Sequence, residues 1–166
     1  MVPYFSADDI EAIRKSRNLG IHDDTTIMDD FEAFIDDNTL MFSFKLIFML
    51  SMFKLADKEG EVNMDDLIAQ YRSFYLDRLE RGLQVDRQRC PYDREFLADP
   101  VKVKRSILSN PFEKFERKRF VYYSKNLNRL SFHPVLWKQM TEGKKTEIRE
   151  KEKGFLEKYY KNMGGV

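Results

Sequence analysis

The stretch from Leu40 to Leu55 constrains the fold more than any other part of this chain. Leu40, Phe42, Phe44, Leu46, Ile47, Phe48, Leu50, Met52, Phe53 and Leu55 surround nearly the whole circumference of a helix. A helix apolar on every side must be central and covered by neighbours. Lys45 and Lys54 interrupt the run, and it is too short to span a bilayer comfortably. The chain therefore has to supply other elements that wrap this one. With 42% hydrophobic and 14% aromatic residues in 166, it has the material for one domain with an appendage. A wholly disordered chain is excluded.

The covering elements can be read along the sequence. Ser6 and Asp9 open a short helix over 7–18 with Ile10 and Ile13 on one face. A polar loop from Asn18 leads to a second helix over 27–36, with Ile27, Phe31, Phe34 and Ile35 together. Asn38 or Thr39 caps the central helix, expected over 40–57. Asn63 caps the next, over 63–82, with Asp65 and Asp66 near its positive end and Gly82 closing it. These two long helices should form an antiparallel pair.

The stretch 84–91 is irregular, with Leu83 to Val85 expected to be briefly extended. Asp93 starts a turn of helix through Leu97. Asp99-Pro100 opens a longer helix, interrupted at Asn110-Pro111, with a further turn through Arg117. Phe120 to Tyr123 and Leu130 to Phe132 flank a polar turn and predict a β-hairpin over 119–133. Pro134 opens a short helix containing Trp137, and a charged helix runs from Lys144 to Lys161. The expected fold class is mainly α: a winged-helix-like helical domain with one β-hairpin and flanking helices. Acidic N-terminal helices (1–37) pack on a centre (38–140), and a charged C-terminal helix (141–166) follows.

The net charge of +1 conceals a division. Residues 1–66 carry six basic residues against fifteen acids, a net of −9. Residues 67–166 carry 23 basic residues against 13 acids, a net of +10. This predicts an acidic partner for the basic half or an internal contact between halves. The order helix, helix, basic helix, two-stranded ribbon is that of a winged helix-turn-helix, whose third helix enters the major groove. Between Lys102 and Arg119 stand seven basic residues and two acids. Lys102, Lys104, Arg105, Lys114, Arg117, Lys118, Arg119, Lys125 and Arg129 are the candidate phosphate contacts, with Ser106 and Asn126 adding hydrogen bonds.

The stretches Asn110-Pro-Phe-Glu-Lys-Phe-Glu-Arg-Lys-Arg-Phe120 and Leu130-Ser-Phe-His-Pro-Val-Leu-Trp137 resemble C-terminal accessory regions of bacterial DEAD/DEAH-type helicases of restriction or phage-defence systems. The resemblance covers residues 28–140 and implies a module that helps a motor grip nucleic acid. It also implies that the chain is part of a longer protein. The motor's phosphate-binding Gly-x-x-x-x-Gly-Lys-Ser/Thr loop is absent from the sequence.

Residues with chemical potential have simpler roles. The acidic pairs Asp23-Asp24, Asp29-Asp30 and Asp36-Asp37 lack the spacing of a calcium loop and suit helix ends. Glu116-Arg117-Lys118 has the Glu-x-Lys form of metal-dependent nucleases, with Asp93 or Asp99 as the upstream acid, but falls at a helix end. His22 is expected in solvent, with its pKa raised by neighbouring acids. His133 is expected to cap a helix or pack against an aromatic. Arg87 and Arg89 can lower the Cys90 thiol pKa, but no His lies near it in sequence to act as base, and a lone cytosolic thiol is the better reading. Phe155, Tyr159 and Tyr160 form an amphipathic edge for docking a partner. The expectation is a cytoplasmic, non-catalytic, cofactor-free module that binds nucleic acid, DNA first. The alternative is a protein interaction domain that docks an acidic surface.

Overall fold

A computed structural model describes residues 22–37 and 41–163. The helix expected over 7–18 and the caps Asn38 and Thr39 lie outside these residues. Among the described residues the chain is mainly helical, with a small three-stranded antiparallel sheet. The helices are α1 (Ile27–Asp36), α2 (Phe44–Leu55), α3 (Met64–Glu80), α4 (Arg94–Leu97), α5 (Pro100–Ser109), α6 (Pro111–Arg117), α7 (Pro134–Gln139) and α8 (Glu142–Met163). The strands are β1 (Glu61–Asn63), β2 (Val121–Ser124) and β3 (Arg129–Phe132).

The apolar run becomes α2, which is buried along almost its whole length. It begins at Phe44, four residues later than expected. The backbone N–H and hydroxyl of Ser43 both donate to the Asp86 carboxyl, which anchors the chain just before the helix. Lys45 is also buried, and its Nζ donates to the Phe34 and Asp37 carbonyl oxygens at the end of α1. A cation there complements the negative end of that helix. Around α2 pack α3, α8, α6 and β1. Phe44 at the start of α2 meets Tyr75 near the end of α3, as an antiparallel pair requires.

Local signals set the boundaries of the shorter elements. Asn63 accepts from Asp66 N–H at the head of α3. Gly82 ends that helix region at φ +70, where a side chain would be strained. Asp93 caps α4, Asp99 caps α5 and His133 caps α7 through Nδ1. Asn110 holds the break between α5 and α6.

The hairpin is confirmed in kind, with strands at 121–124 and 129–132. Two further points correct the reading. β1 adds to the outer edge of β3, with Val62 opposite Leu130, so the ribbon is one side of a sheet in the order β1-β3-β2. Three residues with a single apolar centre carry too little alternation to announce a strand. Residues 83–85 form no strand; the Gln84 carbonyl accepts from Arg78 Nε instead.

One hydrophobic core collects Phe31 from α1, Phe48 and Met52 from α2, Tyr71 from α3, Ile107 from α5, Phe132 from β3 and Ile148 from α8. No helix among the described residues is long and apolar enough to cross a membrane.

Candidate functional site

The fold first disposes of much of the charge. Lys144 pairs with Glu32 at 3.0 Å and Lys151 with Asp36 at 2.9 Å, so the basic tail helix lies against acidic α1. Arg129 of β3 pairs with Asp57 at 3.1 Å and Glu61 at 3.0 Å. The electrostatic division in the sequence is thus partly answered inside the molecule. The Arg129 guanidinium holds β3 to β1 and the turn before it.

The remaining candidates form two groups. The first centres on α5, where Val103 and Ile107 face the core and Lys102 and Arg105 point outward. Neither Lys102 nor Arg105 forms an ion pair with a described residue. Lys104 is half-buried on the flank facing the hairpin. Its Nζ reaches Asn128 Oδ1 at 3.4 Å and lies 5.6 Å from the centre of the Tyr123 ring. That contact brings the turn bearing Lys125 and Asn126, both exposed, beside α5. Exposed Val101 (63%) and Leu127 (42%) lie among these cations.

The second group lies on and after α6. Lys114, Arg117 and Lys118 are exposed, and Arg117 is shared with Glu113 at 3.1 Å. Arg119 differs from the expectation. It is half-buried at φ 62, a corner between α6 and β2, and its carbonyl accepts from the Tyr122 hydroxyl. It shapes the turn into the hairpin. Glu116 sits beside it, half-buried, and burial raises its pKa.

The linker from Gly82 to Pro100 contributes residues that sequence reading missed. The Tyr92 hydroxyl bonds Tyr71 at 2.8 Å and Ser106 at 2.9 Å, which ties the linker back against α5. Ser106 is thereby engaged internally. Exposed Arg89 and Arg94 lie on this segment, Arg94 on α4, which packs against α5, while Arg87 lies 5.0 Å from the Tyr159 ring. Their signal was the run of arginines itself, but an irregular segment has no periodicity to place it.

His22 and the tail aromatics depart from expectation. His22 is buried, stacked on Phe120 at 5.1 Å, with Nε2 bonded to the Lys118 carbonyl at 2.8 Å. Burial lowers its pKa instead of raising it. Burial likewise pushes the Cys90 thiol up to about 11, so the neighbouring arginines do not activate it. The tail's aromatic edge is consumed by its own fold. The Tyr159 hydroxyl donates to Asp86, and that of Tyr160 donates to the Val85 carbonyl at 2.7 Å under the Arg78 guanidinium. Asp93 and Asp99, the acids considered for a metal site, are engaged as helix caps.

No protein-family model, curated protein or solved structure matches this chain.

Proposed function

We propose that this protein is a non-catalytic nucleic-acid-binding accessory module, with α5 and the β2–β3 turn as its contact surface and DNA as its first partner. The observation that carries this reading is a cluster of exposed cations on α5 and the β2–β3 turn, which Lys104 draws together. Internal ion pairs absorb Arg129, Lys144 and Lys151, yet leave Lys102, Arg105 and Lys125 unpaired with any described residue. The order α2, β1, α3, α5, β2, β3, with the short α4 and α6 on either side of α5, supports a winged-helix-like reading, in which a helix meets the groove and a ribbon meets backbone. Under this reading Lys102, Arg105 and Lys125 hold phosphates, Lys104 fixes the ribbon beside α5, and Arg89 and Arg94 extend the strip. Lys114, Arg117 and Lys118 form a second bank. The helicase resemblance makes the module a grip for a motor of the restriction or phage-defence kind.

Fluorescence anisotropy with labelled single- and double-stranded DNA at several salt concentrations tests the proposal. Binding that falls steeply as salt rises is the expected result. Absence of binding at low salt overturns it.

A second reading is a protein interaction domain that docks an acidic surface. It is favoured by Val101 and Leu127, which place exposed apolar groups inside the basic strip. Sedimentation velocity separates one form of it: self-association at low salt that disappears at high salt supports docking between copies.

A further inference from the structure

The seam by which α8 rests on α2 and α1 contains an anomaly. Ile148, Glu152, Phe155, Leu156 and Tyr159 follow helical spacing along its inward side. Ile148, Leu156 and Tyr159 are the kind of residue such a seam needs. Glu152 occupies its middle with 0% exposure, and neither carboxyl oxygen has a hydrogen-bond partner among the described residues. A buried carboxylate without partners is among the costliest groups a fold can contain.

We propose that α8 is a releasable clasp, docked on α2 while the Glu152 carboxyl carries its proton and set free when that proton is lost. The groups around the seam do not supply a better partner. From α2 comes Lys45, whose Nζ donates to the carbonyl oxygens of Phe34 and Asp37. From α1 come Glu32 and Asp36, bound to Lys144 and Lys151. From the linker comes Asp86, which accepts from Ser43 and Tyr159. Lys114 of α6 acts on Lys45 and opposes its charge. Burial raises the Glu152 pKa well above its ordinary value, and the attraction of Lys45 only partly offsets this.

The direction follows from linkage. Free in solvent, α8 loses the Glu152 proton near the ordinary glutamate value of 4.5. Docked, it retains the proton to higher pH. Docking is therefore tightest below that ordinary value and weakens as pH rises, until the docked carboxyl itself ionises. Within that window the opening constant grows about tenfold per pH unit, the signature of one proton.

Hydrogen exchange of the full chain across a pH series tests this, with protection factors that divide out the base catalysis of exchange. The expected result is a loss of protection in α8 of about tenfold per pH unit, while α3 and β3 hold theirs. Glu152→Gln keeps the shape without the ionisation and should make α8 protection independent of pH. Trp137 gives a second readout, because Lys145 of α8 lies 3.8 Å from the centre of its ring and leaves with the helix. Wild-type α8 protection that does not change with pH overturns the proposal. So does an equal slope in Glu152→Gln. The wild-type series stands even where that variant folds poorly.

Discussion

His133 combines two structural duties that fix its protonation. Its Nδ1 accepts from Val135 N–H at the head of α7, which requires that nitrogen to be unprotonated. The ring is buried, 5.8 Å from that of His22. Burial, with a smaller contribution from His22, pushes its pKa down to about 4. A base with a depressed folded pKa takes up its proton more readily when unfolded. The His133 contribution to stability is therefore full above 6.5 and is lost as pH drops through the folded value. The expected loss is about 3 kcal/mol at most, counting His133 alone. Urea unfolding of the wild type and of His133→Asn at pH 7 and pH 4 measures it as the difference between the two proteins. His133→Asn retains a capping acceptor and should flatten the His133 contribution to the acid limb.

Gly60 is the residue-scale counterpart before β1, where its carbonyl accepts from Phe132 N–H. It sits at φ +78, and a Cβ there falls 2.7 Å from the Trp137 ring. Gly82 has φ +70 but open space around it. Gly82→Ala should cost about 1 kcal/mol, from backbone strain alone. Gly60→Ala should cost about 3 kcal/mol, because ring and backbone must both move. Paired denaturation curves test this, and equal costs would show that Trp137 is not fixed against the turn.

At the scale of elements, Asp86 holds three pieces together. Its carboxyl accepts from Ser43 N–H and hydroxyl, from Tyr159 and from Arg87 N–H. It thus pins the linker to the head of α2 and the end of α8. Asp86→Ala leaves those donors buried without an acceptor and should cost about 3–5 kcal/mol in thermal or urea unfolding. A loss within 0.5 kcal/mol, roughly that of an ordinary surface change, would contradict this role. Asp86 also shows why the sequence was only partly legible. Caps at Asn63, Asp93 and Asp99 act over two or three residues, and spacing exposes them. Asp86 acts on residues 43 and 73 positions away, and nothing in its neighbourhood marks it as buried. The same holds for β1, whose partner β3 lies far along the chain, and for His22, which stacks on Phe120, a residue just before a distant strand. The apolar run of α2 was legible because its periodicity needs no partner to be recognised.

For the whole molecule, the charge division becomes an internal contact with a remainder. The sequence carried the totals but not the pairings. Glu32 and Asp36 meet the tail helix, and Asp57 and Glu61 meet Arg129, through tertiary folding alone. Of the expected phosphate contacts, Lys102, Arg105 and Lys125 are left outward, Lys104 has become a strut, and Arg119 and Arg129 are structural. A functional test should reverse the outward residues, since changing Lys104 also loosens the hairpin. Lys102→Glu with Arg105→Glu meets this requirement. Lys153→Glu with Lys158→Glu makes the same charge change on exposed positions of α8.

The most direct measurement is anisotropy of labelled duplex DNA titrated with the wild type and these two double variants, across salt. The wild type should bind in a salt-sensitive manner. The α5 pair should lose at least about tenfold in affinity and make the salt dependence shallower by about two phosphate contacts. The α8 pair should change little. Absence of wild-type binding at low salt, or equal losses in both pairs, contradicts the assignment of α5 and its hairpin as the contact surface.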